Sequence, residues 1–190
     1  AEMLANIGVA SIVNFYQRCD EVWTVSQSSA ETLFDYGYTG EIVVMPNGTP
    51  DVAPDPARAA QAREHFSLPD SPILLYCGQI NWKKNILRIL ESCALLRKGG
   101  VHFTLVLAGQ GPDAKAIRQK VDELGLGECT RYTGHITDET YLYGLYECAD
   151  LFVFPSLYDT SGMVVREAAA MGTPSVVVHG SATAEPILDN

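Results

Sequence analysis

The sequence has 190 residues, of which 47% are hydrophobic and 19% charged: enough for one well-buried domain, or one domain plus part of another, in an ordinary soluble globular chain. A formal charge of −10 and an isoelectric point near 4.7 argue against the basic face that nucleic-acid binding needs, and against docking on anionic lipid. No apolar run approaches the ~20 residues needed to span a bilayer.

The N-terminus shows no basic segment followed by an apolar core, so no signal peptide is read there. Cys19, Cys77, Cys93, Cys129 and Cys148 are odd in number, scattered, and share no ligand spacing with the histidines. That pattern fits reduced thiols in a cytoplasmic protein, not a disulfide framework or a zinc site.

In chain order, residues 3–17 read as a helix. "EVWTVS" (21–26) and "EIVVMP" (41–46) read as strands with a helix between them. The next stretch, "NGTPDVAPDPA", holds three prolines, a glycine and two aspartates, which is hinge chemistry. Beyond it come helix "ARAAQAREHF", strand "ILLYCG", helix "KKNILRILESCALLRK", strand "FTLVLAG", helix "PDAKAIRQKVDELGL", strands "TRYTG" and "LFVFPS", a helix from Met163, and strand "PSVVV".

Such alternation predicts a Rossmann-like, doubly wound parallel α/β sheet over residues 51–190. Its apolar runs are continuous, as expected of strands covered on both faces. Residues 1–50 are too few in elements to complete a sheet, so they read as the tail of another domain and the chain as a piece of a longer protein. Their apolar side chains (Ile12, Phe15, Val22, Val25, Phe34, Val43) are expected to bury against something, self-association being one route.

Ligands of open α/β sheets bind beyond the carboxyl ends of the strands. There the sequence places Gly78, Gln79, Lys83 and Lys84; then the turn from Gly109 to Ala114; then His135 and Ile136; then Asp159 to Val164; and last Glu185. Thr160 or Ser161 is positioned to cap the helix from Met163. Gly162 allows close approach, and the amides of Gly162, Met163 and Val164 form an anion site suited to phosphate. Glu167 lies about one turn on, where hydroxyl donors such as a ribose diol would satisfy its carboxylate. Lys83 and Lys84 stand where a helix dipole disfavours cations unless an anion binds. Gly109-Gln110-Gly111-Pro112-Asp113-Ala114 matches the dinucleotide pattern, but Pro112 removes an amide and strand "TRYTG" ends in no acidic residue.

The succession "VSQSSAETLFDYG", "VVMPNGTP", "LLYCGQINWKKN", "LVLAGQGP", "RYTGHI", "ADLFVFPSLYDTSGMVVREAAAMGTPSVV" and "SATAEPI" closely resembles the retaining glycosyltransferases of family four, the group 1 glycosyltransferases. The resemblance covers essentially the whole chain. It implies a GT-B fold: residues 1–50 ending the acceptor domain and the hinge, and residues 51–190 forming most of the nucleotide-sugar donor domain. The implied reaction is transfer of a sugar from a nucleoside diphosphate sugar to an acceptor of unknown identity, with retention, no metal and no cofactor.

By the same resemblance Glu167 would hold ribose hydroxyls and Asp159 the donor sugar. Gly78, Gln79, Lys83, Lys84, Gly162, Met163 and Val164 would meet the diphosphate and sugar. His135 and Ile136 would meet the base, and Glu185 lies in the loop closing the donor site. Lys84, Asp159 and Glu167 would carry the chemistry. Two residues depart from the family: Gln79 replaces an arginine, and Asp159 a glutamate. A non-catalytic nucleotide-sugar-binding module and an NAD-dependent oxidoreductase or epimerase are the alternatives. Taken alone, without the missing acceptor domain, the chain is expected to be inactive.

Overall fold

A computed structural model describes residues 2–49 and 51–188; the outermost ends of the two expected segments (1, 50, 189 and 190) lie outside the described residues. The N-terminal segment comprises α1 (Glu2–Tyr16), β1 (Trp23–Thr24), α2 (Gln27–Asp35) and β2 (Val43–Val44), the two strands pairing in parallel. Val13, Val22, Leu33 and Tyr38 form its small buried cluster, packed by Val9, Tyr16 and Ile42. Of the side chains expected to bury, Val22 does so, whereas Ile12, Phe15, Phe34 and Val43 stay exposed.

After the proline-rich stretch come α3 (Pro56–His65), β3 (Ile73–Cys77), α4 (Ile86–Lys98), β4 (Thr104–Ala108), α5 (Ala114–Glu123), β5 (Thr130–Gly134), α6 (Glu139–Cys148), β6 (Leu151–Phe154), α7 (Met163–Ala170), β7 (Ser175–Val177) and α8 (Glu185–Leu188). All seven strands read from the sequence are present. The last five form one parallel sheet in the order β5-β4-β3-β6-β7. Strand order reverses between β3 and β6, the switch point at which a doubly wound sheet opens a crevice.

The apolar pattern explains the layering. Every residue of β4 is buried, as a near-continuous hydrophobic run requires of a strand covered on both faces. Edge strand β7 leaves Val176 half exposed. Helix α4 buries Ile86, Ile89, Leu90 and Cys93, while Leu87 remains exposed. Its start also differs from expectation. Lys83 and Lys84 sit in a separate 3-10 turn (Trp82–Lys84), set apart from α4 by Asn85 in the left-handed region at φ 59°.

Helix α6 was not singled out in the sequence, yet it anchors the crossover. Its Glu147 accepts from Arg58 Nε at 3.1 Å and from the Asp55 amide at 2.9 Å, tying α3 and the end of the proline-rich stretch to α6. Among the described residues no helix is long and apolar enough to cross a membrane.

Candidate active site

Two adjoining cavities lie over the switch point. One, of about 480 Å³, is bounded by Gly78 and Gln79 after β3, Gly109 and Gln110 after β4, His135 and Ile136 after β5, and Glu167 on α7. The other, of about 390 Å³, is bounded by Lys84, Phe154, Asp159, Ser161 and Met163. Gly78, Gln79 and Val164 line both, so the two form one cleft. Its volume suits a small organic ligand.

The loops after β3 and β6 are bonded across the mouth of this cleft. Lys84 Nζ lies 2.7 Å from Asp159 Oδ2, and Asn85 Nδ2 donates to the Pro155 carbonyl at 3.1 Å. Lys84 also stands 5.8 Å above the ring of Phe154, a cation–π contact that steadies the ammonium without consuming its charge. The ion pair is about one-fifth exposed on each side, so water still reaches both groups.

Helix α7 begins at Gly162, with φ 57° and no side-chain cap. The expected cap by Thr160 or Ser161 is not made. Ser161 is instead buried and accepts from Asn47 Nδ2 at 2.9 Å, while the Thr160 amide donates to Asp159 Oδ1. An added Cβ at Gly162 would sit 3.0 Å from Thr183 Cα, so the turn needs glycine for both its conformation and its neighbour. Met163 and Val164, the first residues of α7, line the cleft at the end of the helix where the positive end of its dipole lies.

Glu167 lies one turn further along. It is half-buried, and its Oε2 accepts from the Tyr146 phenol at 3.0 Å, so it is not free of protein partners as its sequence context implied. Among the described residues its other oxygen has no hydrogen-bond donor from the protein. Burial, with Cys77 and Glu167 adding to it, raises Tyr146 well above the ordinary phenol value and keeps it a donor. Cys77, close to Tyr146, is pushed up to about 11, chiefly by burial.

Gln79, where the resemblance implies an arginine, has its side-chain oxygen held by Asn81 Nδ2 at 2.6 Å. Gly109 and Gly111 are explained by packing. A Cβ at Gly109 would come within 1.9 Å of the Gly78 carbonyl oxygen, and one at Gly111 within 2.3 Å of that of Ile80. The loops after β3 and β4 stack backbone on backbone, which accounts for the glycines without a dinucleotide.

The structure therefore brings together Gly78, Gln79, Lys84, His135, Ile136, Asp159, Met163, Val164 and Glu167 around one cleft, with Gly162 buried just behind it at the start of α7. Two expected residues do not join them. Lys83 is exposed and lines neither cavity, because the 3-10 turn directs only Lys84 inward. Glu185 lines neither cavity, and its carboxylate accepts from the Gln27 and Ser28 amides at 2.9 and 2.8 Å. Sequence reasoning also missed Tyr146, Cys77 and Asn81, whose roles arise only when α6 and the 3-10 turn fold back on the strand ends.

The family model described as "Glycosyl transferases group 1" matches residues 58–190. The chain belongs to this family. It is 34% identical over 130 residues to the GDP-mannose-dependent alpha-(1-6)-phosphatidylinositol dimannoside mannosyltransferase of Mycobacterium tuberculosis, covering 68% of this chain and 33% of that protein. It is 30% identical over 185 residues to the alpha-monoglucosyldiacylglycerol synthase of Streptococcus pneumoniae, covering 93% of this chain and 40% of that one. The chain thus spans well under half the length of these relatives.

Among solved structures, Anabaena HepE in complex with UDP-glucose superposes with a TM-score of 0.82 at 20% identity, over 97% of this chain and 52% of that one. The lipopolysaccharide glycosyltransferase WaaG gives 0.74 at 20% identity, over 89% and 47%. At that identity the likeness concerns the fold. This group 1 glycosyltransferase chain has the architecture of the C-terminal half of a GT-B protein.

Proposed function

We propose that the cleft binds a nucleoside diphosphate sugar and that the chain is the donor half of a retaining hexosyltransferase. One observation carries this reading: the uncapped start of α7 opens onto a cleft whose walls also present Lys84 and Glu167. A single ligand that is anionic in the middle and rich in hydroxyls on either side satisfies all three. The diphosphate lies against the Met163 and Val164 amides and Lys84. The ribose diol donates to the open oxygen of Glu167, and the base lies between His135, Ile136 and Leu142. The sugar rests by Asp159.

In the reaction the bond from the anomeric carbon to the diphosphate oxygen breaks, and the electron pair leaves with the diphosphate. The acceptor hydroxyl forms the new bond on the same face and loses its proton. Lys84 and the α7 amides stabilise the charge that builds on the leaving group. Gln79 adds a neutral donor where the resemblance implies a forked cation, so Lys84 bears more of that load. Residues 1–50 belong to the acceptor side, and the chain alone binds donor without transferring it, in keeping with its span of less than half of its relatives. Its scattered free thiols and acidic balance suit a cytoplasmic setting.

Titration of the chain with UDP, GDP, ADP, their sugars and NAD tests the reading. A nucleoside diphosphate and its sugar are expected to raise the melting temperature, and NAD to leave it unchanged. Stabilisation by NAD alone overturns the donor site. In the intact enzyme, proton NMR of the product should show the donor's anomeric configuration; an inverted product refutes the assigned reaction.

A further inference from the structure

Helix α2 is capped from two directions. Within the N-terminal segment, Ser26 is its N-cap, and the Ser26 hydroxyl accepts from the Ser29 amide at 3.1 Å. The two amides before it, at Gln27 and Ser28, are served from the far end of the chain. Glu185 Oε2 accepts from Gln27 at 2.9 Å and Glu185 Oε1 from Ser28 at 2.8 Å, one carboxylate oxygen to each amide. A negative charge placed there also complements the helix dipole. Such a bidentate bond crosses 157 to 158 residues of sequence and joins the N-terminal segment to the end of the large sheet.

The same patch is bonded to the donor loop itself. Ser29 Oγ donates to the Thr160 carbonyl at 3.5 Å, and Asn47 Nδ2 to Ser161 Oγ at 2.9 Å. Thr160 and Ser161 directly follow Asp159. Two residues before Glu185, fully buried Thr183 packs on Gly162, the residue that starts α7. Thr183 and Gly162 thus lie between Glu185 and the first residues of α7, Met163 and Val164.

We infer that Glu185 is a positioning residue, a clasp that holds the N-terminal segment against the donor loop and fixes the start of α7, rather than a group that touches the donor. This rests on the donor site proposed above and adds to it a physical link between the two sides of the cleft. When the clasp is closed, Asp159 and the α7 amides are held in register. When it opens, the Gln27 and Ser28 amides turn to water, and the loop loses its support on that side.

Two measurements test the clasp. Amide hydrogen exchange of the chain reads the bond directly: Glu185→Ala should speed exchange at Gln27 and Ser28 about fivefold or more, the size expected for loss of a helix cap. Glu185→Gln, which keeps one acceptor oxygen, should restore part of the protection. Amides later in α2 should keep their wild-type rates, which separates opening of the clasp from unfolding. Equal exchange at Gln27 and Ser28 in the wild-type and Glu185→Ala chains overturns the inference.

The second measurement uses the intact enzyme and Gln27→Pro, which deletes one amide hydrogen at the first helical position, where proline is tolerated. Glu185→Ala and Gln27→Pro should each lower kcat/KM, with most of the loss in kcat, and the double variant should do little more than Glu185→Ala alone. If Glu185 instead touches the donor, Gln27→Pro leaves turnover intact and the clasp is refuted. Nucleotide titration of the unmutated chain tests the donor site separately, so failure of one claim is distinguishable from failure of the other.

Discussion

The phenol of Tyr146 donates to the carboxylate of Glu167 at 3.0 Å, across the gap between α6 and α7. Tyr146 is fully buried and its phenol is held protonated, so it can only donate in this pair. One oxygen of Glu167 is thereby fixed, on a residue that lines the cleft. A carboxylate so held has already lost the freedom that binding would otherwise cost it.

Tyr146→Phe should therefore weaken binding as well as the fold. The ring keeps its packing against Phe152, while the carboxylate loses a charge-assisted hydrogen bond of roughly 1.5–3 kcal/mol. Calorimetric titration of the chain with UDP should show affinity down about tenfold. An unchanged dissociation constant would remove Tyr146 from the positioning of Glu167.

Lys84 and Asp159 form an ion pair, yet they are expected to respond differently to loss. In the intact enzyme, Lys84→Ala should lower transfer by ~10²-fold or more, as removal of a donor to developing charge does. Asp159→Asn should cut turnover too, but leave affinity for bare UDP within about threefold, because its proposed contact is to the sugar and not the diphosphate. If UDP and UDP-sugar binding fall together in Asp159→Asn, the acid serves only to hold Lys84.

Much of this was legible in the sequence, for reasons that differ by residue. The strands of the large sheet announce themselves because "ILLYC" and "TLVLA" are continuous apolar runs, as burial on both faces demands. Gly162, Glu167 and Lys84 follow from the rule that such sheets bind at their strand ends. What could not be read is set by contacts distant in sequence. Tyr146 looks like any core aromatic until α6 lays its hydroxyl against Glu167, and Glu185 looks like a donor-loop acid until α2 presents two amides to it. The cap at Thr160 or Ser161 failed because Asn47, 114 residues before Ser161, engages that serine first. Lys83 and Lys84 were indistinguishable by type; Asn85, by breaking the helix, turns one inward and leaves the other in solvent.

The chain should lose stability in alkali. Burial pushes Cys93 up from 9.0 to about 12, and Cys148, for the same reason and against the pull of Arg63, up to about 11. A folded-state value above the unfolded one means that the folded chain holds its protons longer. The stabilising contribution is whole below about pH 9 and is lost as pH rises through 11 to 12. Each thiol ionised only in the unfolded chain costs up to about 1.4 kcal/mol per pH unit over that window. Urea midpoints measured from pH 8 to 11 should fall progressively, and Cys93→Ala should flatten the slope. A flat profile in the unmutated chain contradicts the burial of these thiols.

Gly109 gives the sharpest test of why the glycine-rich turn exists. If it served a dinucleotide, its loss would remove a ligand and leave the fold intact. In the structure the cause is steric: φ is 132°, and a methyl group would lie 1.9 Å from the Gly78 carbonyl oxygen, inside backbone that neither loop can move cheaply. Backbone strain and overpacking each cost about 1–3 kcal/mol, so Gly109→Ala should destabilise the chain by about 3 kcal/mol. Gly48, in open space and without positive φ, supplies the control, and Gly48→Ala should stay within about 0.5 kcal/mol of the parent. Because Gly78 borders both halves of the cleft, whatever Gly109→Ala chain still folds should also bind UDP more weakly. Urea unfolding and UDP titration of the two variants decide the matter: equal stability for both would mean that the two loops do not stack as described, and that the glycines of this turn need another explanation.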